Sequence, residues 1–222
     1  MSNRFDPRID ILAAPQREIW PELAPASNLS FMLYGWTAVA LHLGHRISID
    51  FDFFKGEPLE KGKIEASFPF IRTARTIQEA ENMLVLDVPM PTGHVKLSFF
   101  GGLTLGRIND PLRTGDKVLL VASLEDLFAT KLKAILDRAE VKDYRDVAAM
   151  LKAGVLLEKA LGGFAKMYRR DPGLPLGAIG FFNDGDLPSL AKADQLLLRA
   201  ARDCVSDVPD VCVLDGLVPA GA

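Results

Sequence analysis

A chain of 222 residues exceeds the typical length of one domain and falls short of two average ones, so one large or two small domains must hold it. Hydrophobic residues make up 49% and charged residues 25%, which excludes disorder throughout and leaves enough apolar surface for a real core. The net charge of -3 excludes the global basic field that drives non-specific nucleic-acid binding. No apolar run is long enough to span a bilayer, and the N-terminus lacks an apolar signal core, so a cytoplasmic location without membrane attachment is expected. Cys204 and Cys212 stand eight apart without zinc-site spacing and read as ordinary thiols.

The first informative segment runs from Phe31. Phe31–Tyr34 reads as a strand, Gly35 as a tight turn, and Thr37–Leu43 as a helix ended by Gly44. A glycine-opened helix start is an anion site, because its free N–H groups and positive dipole end face the ligand. His42 and His45 follow at its end, where cap or surface roles compete with a transition-metal role. Next, Ser48–Phe53 alternates strictly: Ile49, Phe51 and Phe53 share one face, and Ser48, Asp50 and Asp52 the other. Two carboxylates on one face, about 7 Å apart at the Cα atoms, can converge on Mg²⁺, although an acidic solvent face gives the same pattern.

Tyr34-Gly35-Trp36-Thr37, followed after an interval by His45-Arg46-Ile47-Ser48-Ile49-Asp50-Phe51-Asp52-Phe53-Phe54, resembles the opening signature of the DNA polymerase β-like nucleotidyltransferases, in particular the AbiEii/AbiGii toxin family. The resemblance implies an α+β fold with a polymerase β-like mixed sheet, flanking helices and a C-terminal helical bundle. It implies Asp50 and Asp52 as catalytic Mg²⁺ ligands, and Gly35, Trp36, Thr37 and Ser48 as nucleotide-binding residues.

Farther along, Met83–Val88 and Val95–Phe100 read as strands joined by a turn at Pro89–Gly93. The third carboxylate of the superfamily is expected on such a strand, yet Ser98 stands there, with Asp87 as a substitute if it shares the face of Asp50 and Asp52. Trp36 is the other departure, a bulky ring where the family has a small residue; it either turns away or stacks on a base. Arg72, Arg75 and Lys96 could line a basic acceptor groove or be plain solvated surface. Gly101, Gly102 and Gly106 read as a loop between sheet and bundle.

Beyond Val121 the periodicity becomes helical. Ser123 and Asp126 make a capping-box-like start, and Leu124, Leu127, Phe128, Leu132 and Ile135 an apolar stripe onto which Lys131 and Arg138 also fall. An inward cation needs an anion or must snorkel to water. Lys131 to Arg138 followed by Lys142-Asp143-Tyr144-Arg145-Asp146 resembles the second family block, which implies catalytic roles for Lys131 and Asp143 and nucleotide binding by Arg138 and Asp146. Read without the family, Asp143 is a good helix N-cap, with Asp146 in the third position. The expected organisation is a sheet domain over 1–120, a helical bundle over 121–205 that completes the site, and a weakly ordered tail over 206–222.

The glycine-opened helix beside two carboxylates points to phosphoryl or nucleotidyl transfer, and the resemblance implies an Mg²⁺-dependent transferase that moves a nucleotide from a nucleoside triphosphate to an acceptor hydroxyl. The resemblance further implies a tRNA 3′ end or other RNA as acceptor and an antitoxin as partner. Two other readings stay open: a catalytically degenerate nucleotide-binding or interaction module of the same fold, and a structural protein whose acidic strand is only surface.

Overall fold

The computed structural model describes residues 4–219, so residues 1–3 of the expected sheet domain and 220–222 of the expected tail lie outside the described residues. The chain divides into two compact units: one contains the residues up to Leu105, Asp110–Ala122 and the stretch from Asp215, and the other contains Gly106–Asn109 and Ser123–Leu214.

The first unit is built on eight strands among the described residues: β1 (Arg4–Phe5), β2 (Met32–Tyr34), β3 (Asp50–Phe54), β4 (Arg75–Ala80), β5 (Met83–Met90), β6 (Gly93–Phe100), β7 (Leu112–Thr114) and β8 (Leu120–Val121). They form one mixed sheet in the order β1-β7-β8-β2-β3-β6-β5-β4. Helices α1 (Ala14–Ile19), α2 (Pro25–Asn28), α3 (Gly35–Leu43) and α4 (Lys61–Ser67) accompany it. Pro15, Pro21 and Pro25 stand at the first positions of the short N-terminal helical pieces, where a missing N–H costs nothing, so this stretch folds as brief turns without a long amphipathic repeat.

Alternation along β3 sets the core. Phe51 and Phe53 are fully buried, and Phe99 on β6 meets Phe53, Phe31 and Phe68 at ring distances of 5.3, 5.2 and 5.7 Å. Each such ring contributes roughly 1.5–3 kcal/mol through area removed from water. Trp20 extends the layer, with its ring 6.2 Å from Phe51 and its indole N–H donating to Asp116 at 2.7 Å. Because this face of β3 holds the core, register leaves Asp50 and Asp52 on the other face.

The second unit comprises α5 (Leu124–Asp137), α6 (Val141–Lys152), α7 (Leu157–Tyr168), α8 (Gly173–Ala178) and α9 (Lys192–Cys204). The segment at Gly106–Asn109 belongs here, although it precedes residue 120, because the Ile108 and Asn109 amides donate to Asp126 at 2.6 and 3.2 Å. Past α9, the Pro209 carbonyl lies against Gly162 and Leu214 bridges Arg107, which brings chain as far as Leu214 into the unit. A Cβ at Gly162 or Gly163 would run into Pro209 or Ile108, so the paired glycines are what let α7 be approached so closely. Among the described residues no helix is long and apolar enough to cross a membrane.

Candidate active site

The chain turns from β2 into α3 at Gly35, whose φ is +73°. An added Cβ there would collide with the Asp52 Oδ2 atom and stand 3.2 Å from the Asp52 Cβ. Glycine is therefore required twice, once by the left-handed backbone and once by the close approach of the turn to a carboxylate. Tyr34 pairs with Asp52 across the antiparallel β2–β3 ladder, which fixes that approach.

Thr37 and Ser48, expected to bind nucleotide, are turned inward. Both are buried; their hydroxyls lie 2.8 Å apart, and the Thr37 hydroxyl donates to the Asp50 carbonyl. Their contribution is to brace the start of β3 against α3. Trp36 is half-buried, with the Arg46 guanidinium 6.0 Å from its ring centre, so the indole has a cation at its face.

Asp50 and Asp52 occupy alternate positions of β3 with their backbones in parallel register with Lys96 and Ser98 of β6. Ser98, at the position where the third carboxylate is expected, thus stands directly beside Asp52 and is buried. Asp87 pairs with Lys96 on the next strand and so shares the face of Asp50, but Lys96 stands between them. Its oxygens are engaged by the His94 Nδ1 atom at 3.1 Å and Arg75 at 3.4 Å. Of the two readings of Arg72, Arg75 and Lys96, the shared groove does not form: Arg72 lines a cavity of about 470 Å³ together with Leu84 and Leu86, on the face opposite Asp87 and Lys96.

No group of three His, Cys, Asp or Glu side chains among the described residues could hold a metal ion. His42 serves structure, with its Nε2 atom 3.0 Å from the Ala122 carbonyl and its ring stacked on Phe5 at 4.2 Å. Two aspartates on one strand face nevertheless suit Mg²⁺, which takes one or two protein carboxylates and draws its remaining oxygens from substrate phosphates and water. The turn at Gly35, kept clear of any Cβ beside Asp52, fits that donor set.

In the helical unit, the predicted second block forms a buried ionic cluster. Lys131 on α5 is 5% exposed, and its Nζ atom meets the Asp143 Oδ1 atom at 2.9 Å and the Asp146 Oδ2 atom at 3.0 Å. Both carboxylates, on α6, are 0% exposed. Lys131 therefore does not snorkel; it is charge-paired inside. Arg138 does not lie on the helical stripe, because α5 ends at Asp137 and Arg138 is its extended cap, with a side chain 43% exposed. It still donates from Nε to the Asp143 Oδ2 atom at 2.9 Å. Nor is Asp143 an N-cap: α6 starts at Val141 after Glu140, so Asp143 sits within the first turn, facing Lys131.

The cluster rests on a well-capped helix. Ser123 accepts from the Asp126 amide at 3.1 Å, and burial pushes the Asp126 carboxyl up from its ordinary value against opposing bonds from Ser123, Ile108 and Asn109. Beside Asp143, burial and the charges of Asp143 and Asp184 push the Tyr144 phenol up to about 12, while its hydroxyl donates to the Ala178 carbonyl.

Comparison with known proteins connects these observations. The family model described as nucleotidyl transferase AbiEii toxin, type IV toxin-antitoxin system, matches residues 23–212. An uncharacterised protein of Aquifex aeolicus (strain VF5) is 27% identical over 158 residues, which cover 69% of this chain and 74% of that one. Among solved structures, a candidate nucleotidyltransferase from H. pylori aligns with a TM-score of 0.55 at 18% identity, over 85% of this chain and 90% of that one. MenT4, a nucleotidyltransferase toxin from Mycobacterium tuberculosis H37Rv, aligns with a TM-score of 0.55 at 14% identity, over 84% and 82%. These likenesses show the polymerase β-like nucleotidyltransferase fold.

Proposed function

The chain belongs to the AbiEii family of nucleotidyltransferase toxins, and from that premise we propose that it moves a nucleoside monophosphate from an NTP to an acceptor hydroxyl. The observation that carries the reading is the approach of the Gly35 turn to Asp52, beside Asp50 on the same strand face.

Asp50 and Asp52 would hold Mg²⁺ carried on the triphosphate; when bound, the ion offsets phosphate charge and polarises the phosphorus under attack. The backbone at Gly35 and the start of α3 receive phosphate oxygens, with Thr37 and Ser48 holding β3 in place beneath them. Trp36, with Arg46 on its ring, lies next to that turn and borders the nucleotide. In the reaction, an acceptor oxygen bonds to the α-phosphorus while the α–β phosphoanhydride bond breaks. Pyrophosphate leaves with the electron pair, and the hydroxyl proton passes to water. In the helical unit, Lys131, Arg138, Asp143 and Asp146 act as one group: the fully buried Asp143 and Asp146 are positioning residues that orient Lys131, and Arg138, paired with Asp143 and 43% exposed, presents the more accessible cation. By family, the acceptor is the 3′ end of tRNA or another RNA, and the chain is countered by an antitoxin.

The test is pyrophosphate release from each of the four NTPs with Mg²⁺ and total RNA. The wild-type chain should release it with one NTP preferred, and Asp52→Asn should lower the rate about 10²-fold or more with the fold intact. NTP binding without release would favour a degenerate module, the reading that Ser98 beside Asp52 supports.

A further inference from the structure

One row of the sheet carries charges of alternating sign. Asp50 on β3, Lys96 on β6, Asp87 on β5 and Arg75 on β4 are successive register partners, so all four side chains leave the same face. Asp87 is served by His94 and Arg75. Lys96 is aligned with Asp50: its Nζ atom lies 3.5 Å from the Asp50 Oδ2 atom, and its side chain is 44% exposed against 15% for Asp50. That contact is longer than the roughly 2.7–2.9 Å of a tight charge-assisted bond, so the ammonium is near the carboxylate without being locked to it. A flexible four-carbon stem lets it follow an incoming anion.

The charges decide what this can do. Paired divalent ions clamp the attacking and leaving oxygens of a displacement and need anionic ligands to hold them together. Here one aspartate has an ammonium beside it and the other has the buried Ser98. We propose that Lys96 is a further residue of the site: it competes with the divalent cation for Asp50 in the empty chain. Once Mg-NTP is bound, it gives the phosphates the positive charge that a second ion would otherwise supply. This deepens the nucleotidyltransferase reading and rests on it.

The test uses Lys96→Met and Lys96→Arg in the full chain, with Mn²⁺ as the probe followed by electron paramagnetic resonance. Without nucleotide, Lys96→Met should bind Mn²⁺ about tenfold more tightly than wild type, because a like charge within a few ångströms of the ion is gone. With a non-hydrolysable NTP, wild type should hold one Mn²⁺ per chain. Transfer should move the opposite way, falling about 10²-fold in Lys96→Met and recovering to within about tenfold of wild type in Lys96→Arg. A merely structural lysine would not tighten metal binding while slowing transfer. Unchanged Mn²⁺ affinity in Lys96→Met, unchanged transfer, or two ions per wild-type chain would overturn the role of Lys96 alone; a wild-type chain that neither binds nor transfers nucleotide would overturn the nucleotidyltransferase reading with it.

Discussion

Gly35→Ala tests the junction on which the site depends. The backbone there has φ +73°, where a Cβ costs roughly 1–2 kcal/mol. The new methyl would also meet the Asp52 carboxylate, and rotating that side chain away clears Oδ2 but leaves the Cβ–Cβ approach of 3.2 Å. Holding Asp52 off its preferred rotamer adds about 0.5–1.5 kcal/mol. The sum, about 1.5–3.5 kcal/mol, corresponds to a fall of about 3–14 °C in the melting temperature of a chain this size. Calorimetry should show that fall, and Mn²⁺ titration should show weakened binding, because the displaced group is a proposed ligand. Gly62→Ala is the control: nothing lies within 4 Å of its added Cβ, and it sits in α4, so its melting temperature should hold or rise slightly. A Gly35→Ala chain with wild-type melting temperature and wild-type metal affinity would refute the reasoning.

Other outcomes follow from the same structure. Lys131→Met removes the cation between two fully buried carboxylates and should cost about 3–5 kcal/mol in urea unfolding; a loss below about 1 kcal/mol would mean that the cluster is not what orders α5 against α6. Tyr144 has a folded-state value raised to about 12 from 10.0, so its contribution to stability is full below pH 10 and disappears as pH rises toward 12. Tyr144→Phe should flatten that alkaline loss, as read by denaturation at a series of pH values. Gly163→Ala drives a methyl against Ile108 and should destabilise the helical unit by about 1–3 kcal/mol, with helix melting followed by circular dichroism.

Local pattern carried much of this. The period-two run at Ser48–Phe53 separated the buried phenylalanines from the two aspartates, and Gly35 and Gly44 marked the ends of α3, because these features depend on neighbours in the chain. The Ser123–Asp126 start of α5 was legible for the same reason. What the pattern could not show was partners. Lys131 read equally as a snorkelling side chain because Asp143 and Asp146 come from another helix. Helical spacing places Arg138 on a helix that stops one residue earlier, and Asp143 at a cap position that Glu140 occupies. The inward turn of Thr37 and Ser48 depends on how α3 lies against β3. For Lys96 the sequence offers an acceptor groove or plain solvated surface: its pairing with Asp50 arises from a parallel register between strands 46 residues apart, a distance at which side-chain alternation says nothing about neighbours. The N-terminal turns offered no periodic signal at all, since their proline-started pieces are too short to repeat.

The central claim is that this chain transfers the α-phosphoryl nucleotide of an NTP through the Asp50–Asp52 face, and parallel reactions with α-labelled and γ-labelled NTP, Mg²⁺ and total RNA test it most directly. The account predicts α-label entering the RNA with wild type and not with Asp52→Asn, while γ-label appears in pyrophosphate. Gamma-label in the RNA, or α-label transferred undiminished by Asp52→Asn, would contradict it.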